Sequence, residues 1–120
     1  MLRPEGRPFE VAKTTALIAS GGSLSAAIDL GGLHAVGIIM PAAWTAASLT
    51  FNVSVDGENF ADLYAPDGTE YTLTVVAAHH VYLDLGIFAG FNSIKFRSGA
   101  GSAAVNQAAD RTLTIVSRSL

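Results

Sequence analysis

The chain has 120 residues, half of them hydrophobic and only 14% charged, with a formal net charge of −3 and no cysteine. That length fits one domain with a buried core, and the missing thiols exclude disulfide frameworks, thiolate catalysis and cysteine-type zinc sites. The seven Lys and Arg are scattered, which argues against nucleic acid because phosphates need clustered cations, and no run reaches the ~18 apolar residues of a membrane helix.

In chain order, residues 1–8 read as an extended arm. Arg3, Pro4, Gly6, Arg7 and Pro8 follow one another with Phe9 next, and no long apolar run stands behind them, as a secretory signal would require. Residues 9–120 then form one domain. SLSAAIDL (23–30) alternates, with Leu24, Ala26, Ile28 and Leu30 on one face, and Gly31-Gly32 breaks it. HAVGIIM (34–40) is a compact apolar strand buried on both faces, ended by Pro41. PAAWTAA (41–47) is the one stretch that could pass for a short helix. SLTFNVSV (48–55) alternates cleanly, with Leu49, Phe51, Val53 and Val55 on one side, and Asp56-Gly57 follows as a hairpin signal.

Phe60 to Tyr64 returns as the partner strand, and Asp67-Gly68 marks a second hairpin. EYTLTVVA (70–77) alternates again, bringing Tyr71, Leu73 and Val75 together, and residues 80–85 give a short strand. GIFAG (86–90) reads as a helical turn or loop. NSIKFRS (92–98) buries Ile94 and Phe96 and exposes Lys95 and Arg97. Residues 99–109 are a small-residue loop, and residues 110–116 close the domain with Leu113 and Ile115. Short strands recurring every dozen residues or so predict an all-β fold, a single antiparallel β-sandwich of eight to nine strands.

The search for chemistry returns little. His79 and His80 are adjacent, so on a strand they point to opposite faces and share no metal, and His34 is alone. Asp56, Glu58 and Asn59 offer calcium ligands, but a plain hairpin turn accounts for them equally and the EF-hand spacing is missing. No GxSxG elbow, phosphate loop or opposed carboxylate pair can be picked out. No cofactor, metal site or catalytic residue is therefore expected. Asn52-Val53-Ser54 matches a glycosylation sequon but lies within a predicted strand. Trp44, Tyr64, Tyr71 and Tyr82 are the aromatic candidates for a sugar platform, against the plainer account that they fill the core or its rim.

Two stretches carry a likeness. SLTFNVSVDGENFADLY (48–64) resembles the central hairpin of discoidin-like, galactose-binding jelly rolls, and FNSIKFRSG (91–99) resembles their late strand. More broadly, IASGGSLSAAIDLGG (18–32), VGIIMPAAWTAASLTF (36–51) and VNQAADRTLTIV (105–116) resemble a group of small virion-associated proteins of tailed bacteriophages. The resemblance implies a jelly-roll-like sandwich acting without catalysis as a capsid decoration or head-fibre component. Its partners would be the major capsid protein or other virion subunits, and copies of itself. Its location would be the virion, assembled in the bacterial host cytoplasm. On that reading the contact elements are the arm (Arg3, Pro4, Arg7, Pro8, Phe9) and the late loop (Asn106, Gln107). The alternative is a tail or fibre accessory module binding host glycans through Trp44, Asn59, Asp62 and Tyr64.

Overall fold

The computed structural model describes residues 10–119. The expected arm, with Arg3, Pro4, Arg7, Pro8 and Phe9, lies outside the described residues. Alternating apolar side chains give the described residues nine strands and one helical turn: β1 (Val11–Ile18), β2 (Ile28–Asp29), β3 (His34–Ile39), β4 (Leu49–Ser54), β5 (Ala61–Asp62), β6 (His80–Tyr82), α1 (Leu85–Phe88), β7 (Ser93–Ala100), β8 (Ala103–Ala104) and β9 (Arg111–Arg118).

The pairings nest. β4 pairs with β5, β3 with β6, β2 with β7 and β1 with β9, all antiparallel, so the chain is one long hairpin rolled on itself. Rolling places β1-β9-β3-β6 in a first sheet and β2-β7-β4-β5 in a second, with β8 hooked onto β7. Two sheets built from a rolled hairpin make the jelly-roll form of the β-sandwich.

The core lies between the sheets. Phe51 and Phe96 are cross-strand partners on β4 and β7, and Phe88 of α1 packs edge-on against Phe51 with ring centroids 5.1 Å apart. Ile18, Ile38, Leu113 and Ile115 face them from the first sheet. Such edge-to-face aromatic pairs add ~0.5–1.5 kcal/mol beyond their buried area. Leu49, Phe51 and Val53 point inward as the alternation predicts, whereas Val55 lies past the strand end and is exposed. Tyr71, Leu73 and Val75 alternate inward too, although this stretch pairs with the β4 backbone only at Leu73, opposite Leu49, while the Tyr71 ring packs 5.8 Å from that of Phe51.

Several expected elements come out differently. Residues 23–30 do not form one alternating strand: Leu24 and Ala26 are exposed, and Ser25 is buried. Ser25 Oγ accepts from the Phe96 amide, so a hydroxyl takes the inward position and the apolar face resumes at Ile28 and Leu30. β3 carries a bulge between Ala35 and Gly37, which lets Ala35 and Ile38, three apart, both face the core. Its other face stays half-exposed. Residues 41–47 form no helix. β1 corresponds to no predicted strand, because its inward residues are Ala12, Thr14, Ala16 and Ile18 and its outward ones include Val11 and Leu17.

The small-residue loop holds a tight β7–β8 hairpin. Gly99 there has φ 88°, and a Cβ at that position would meet Ala103 O and Val105 N at 2.6 Å. Gly99→Ala is expected to cost on the order of 2–4 kcal/mol, from left-handed strain plus a backbone clash with no flexible neighbour to yield. Urea unfolding measures it; a cost below about 0.5 kcal/mol would mean the hairpin simply moves aside.

Candidate functional site

The two sheets have unlike outer faces. On the second, β4 and β7 turn Thr50, Asn52, Arg97 and Lys95 outward, and the chain covers most of them again. Arg97 is buried rather than exposed as its alternation predicts. Its guanidinium pairs with Asp62, and Glu70 lies 4.0 Å away. The Gly101 amide of the β7–β8 turn donates to Glu70 Oε1 at 3.0 Å, so the hairpin lies over the ion pair. The Thr50 hydroxyl donates to Gly99 O at 2.6 Å, and the Lys95 ammonium stands 4.4 Å from the Phe60 ring centroid.

Among the described residues, nothing closes the outer face of the first sheet in this way. Cross-strand register sets its residues in rows: Val11 with Arg118; Lys13 with Val116, Gly37 and Tyr82; Thr15 with Thr114, Ile39 and His80; Leu17 with Thr112. These rows contain Lys13 and Arg118 and no acidic residue, on a chain whose net charge is −3. Tyr82 is 86% exposed, Val11 66% and Leu17 49%. Gly37, lacking a side chain between Val116 and Tyr82, leaves a shallow groove of about 350 Å³ that Ile39 and His80 also line. Exposed apolar and threonine side chains on a stiff sheet can dock a complementary surface.

The expected sugar-binding residues do not assemble. The Trp44 indole donates to Ala47 O and packs against the core. Asn59 Nδ2 donates to Asp56 Oδ2, and Asp62 accepts from both Arg97 and Asn52. Tyr64 alone of the four lines a hollow of about 230 Å³, with Tyr71, Pro66 and Ile87 around it. Burial, with the Asp84 charge behind it, pushes the Tyr71 phenol up, so it stays protonated through the neutral range.

Of the two late-loop candidates, Asn106 is exposed and Gln107 is 1% exposed. The Gln107 amide is used up internally. Oε1 accepts from the Thr45 amide at 2.8 Å and from Arg111 Nε at 3.1 Å, while Nε2 donates to Thr45 O at 3.0 Å and Ser98 Oγ at 2.7 Å. A residue with all its polar valences satisfied inside the fold has none left for a partner. Nothing in its sequence context separates it from exposed Asn106; only the fold does. Gln107→Leu leaves the Thr45 amide and Ser98 hydroxyl unpaired, so a loss of about 2–4 kcal/mol is expected in urea unfolding. A neutral result would show that those groups find other partners.

The remaining candidates have local roles. His34 Nδ1 lies 3.0 Å from Ala89 O at one end of β3, and His80 pairs with Ile39 at the other. No cluster of three metal-ligating side chains occurs among the described residues. Asp56 closes its own turn, accepting from the Glu58 and Asn59 amides and the Ser54 hydroxyl. Those donors, the Asn59 amide first, hold its carboxyl well below the usual range. A lowered pKa contributes stability that is complete above the ordinary value of 3.8 and is lost as pH falls through the depressed one. Asp56→Ala should therefore unfold more easily at neutral pH, with the gap from wild type closing in strong acid. A gap that stays constant with pH would count against the charge as its source.

No family model matches the sequence, and no curated protein matches it. Among solved structures, the fold is similar to that of the SPBc2 prophage-derived protein YomS. The TM-score is 0.58 at 16% identity, covering 92% of this chain and 96% of that one. At that identity the likeness is one of fold: the two chains share a β-sandwich over nearly their whole lengths.

Proposed function

We propose that this protein is a non-catalytic structural component of a tailed-bacteriophage virion, a capsid decoration or head-fibre protein that binds other virion subunits. The jelly roll by itself does not choose, since viral capsid domains and lectins both use it. The observation that carries the reading is the asymmetry of the outer faces: one is closed by the protein's own ion pair and hairpin, while the other, among the described residues, is left open around exposed Tyr82. Exposed tyrosine supplies contact area at low entropic cost, and tyrosine is enriched where protein interfaces gain their energy. The absence of acids in the rows suits a partner surface that is acidic or uncharged. The fold likeness to a prophage-derived protein agrees with a phage setting. The glycan alternative is weaker, because Trp44, Asn59 and Asp62 are each engaged elsewhere.

The test is sedimentation of purified protein with particles that lack it. Wild type should pellet with the particles. Tyr82→Asp, which replaces an exposed side chain and leaves the core alone, should weaken binding at least about tenfold, the loss of one interface anchor. Absence of wild-type binding, or a Tyr82→Asp variant that binds like wild type, would overturn the assignment to this face.

A further inference from the structure

β1 is the edge of the first sheet, and its outer side has no strand partner among the described residues. Protein sheets normally blunt such edges with prolines, several charges, bulges or short length. β1 has eight residues, no bulge against β9, no proline, and Lys13 as its one charge. The opposite edge strand, β6, has three residues.

We infer that β1 pairs with β1 of a second copy of this chain, antiparallel about a twofold axis, joining two four-stranded sheets into one. Register arguments favour this occupant over an unrelated strand. The Ser119 amide donates to Glu10 O, so the even-numbered residues of β1 make the ladder to β9. The backbone groups of Val11, Lys13, Thr15 and Leu17 therefore point to the open edge. Opposed residues must lie on the same sheet face. Centring the axis on Thr14 meets both conditions and uses all four open residues.

Val11 then lies opposite Leu17 of the partner subunit, and Lys13 opposite Thr15 of the partner subunit. Each pairing occurs twice by symmetry. Two of the chain's most exposed aliphatic side chains thus cover each other on the outer face. The two lysines lie diagonally rather than face to face, and their long stems let the ammonium groups spread apart. Centring on Thr15 instead would leave Val11 unpaired.

This inference does not depend on the virion reading, since association of the pure chain needs no particle. The experiment combines sedimentation-equilibrium measurements with cross-linking. Wild type should be a dimer at concentrations where Thr15→Pro is mostly monomeric. The Thr15 amide faces the edge, so proline removes one edge bond per copy and spares the β9 ladder, weakening association by roughly 10–30-fold. Circular dichroism confirms that this variant is folded.

In a chain without cysteine, Thr14→Cys puts one thiol at the axis, where opposed Cα atoms are about 4.5 Å apart. It should form a cross-linked dimer on mild oxidation, and Thr15→Cys far less. A monomeric wild type that Thr14→Cys does not cross-link would overturn the inference. So would a dimer that survives Thr15→Pro, or one lost on removing residues 1–9 while β1 is intact, since the arm would then be the contact.

Discussion

The buried side-chain amide of Gln107 is the constraint on which one end of the sandwich depends. Three connections meet there: residues 19–22 after β1, residues 41–48 after β3, and residues 105–110 before β9. Gln107 treats Thr45 as a strand would, accepting from its amide and donating to its carbonyl. Its own backbone exchanges bonds with Gly21 and Gly22. A buried primary amide is costly when any one of its four polar positions is empty, and here all four are filled. The network is therefore all-or-nothing, and it sets where β4 enters its sheet and where β9 starts.

A second polar device acts at the covered face. Arg97 sits on a central strand and would leave a desolvated charge beneath the β7–β8 hairpin. Asp62 and Glu70, from two different segments, close around it, and the Gly101 amide completes the Glu70 carboxylate. Buried pairs of this kind give little net stability but penalise any arrangement that separates them. Their structural result is that, among the described residues, the second sheet is sealed by its own loops while the first keeps a bare outer face.

Much of this was legible in the sequence, and the failures have physical causes. The all-β class, the Asp56-Gly57 and Asp67-Gly68 turns, the inward face of β4 and the single turn of α1 follow from alternation and turn chemistry. β1 escaped because its pattern is inverted: alanine and threonine face the core while valine and leucine face out, so two-residue periodicity gives no contrast. Arg97 looked exposed because alternation assigns a face but not what covers it, and its cover comes from residues 62, 70 and 101, far apart in the chain. Gln107 looked like a polar loop residue for the same reason. The platform around Tyr82 was not legible, since its rows draw on four strands whose order only the rolled hairpin determines.

The nested pairing also has a kinetic consequence. β4 and β5 can meet as soon as they leave the ribosome, but β1 waits for β9, whose partner residues run from Arg111 to Arg118. Pairings between such distant segments make folding slow, on the millisecond-to-second scale. During synthesis β1 is made before the other described strands and is the last of them to be satisfied, with both of its edges bare in the interval. A cell producing many copies at once would hold a pool of such chains, in which encounter between neighbours competes with completion of each fold.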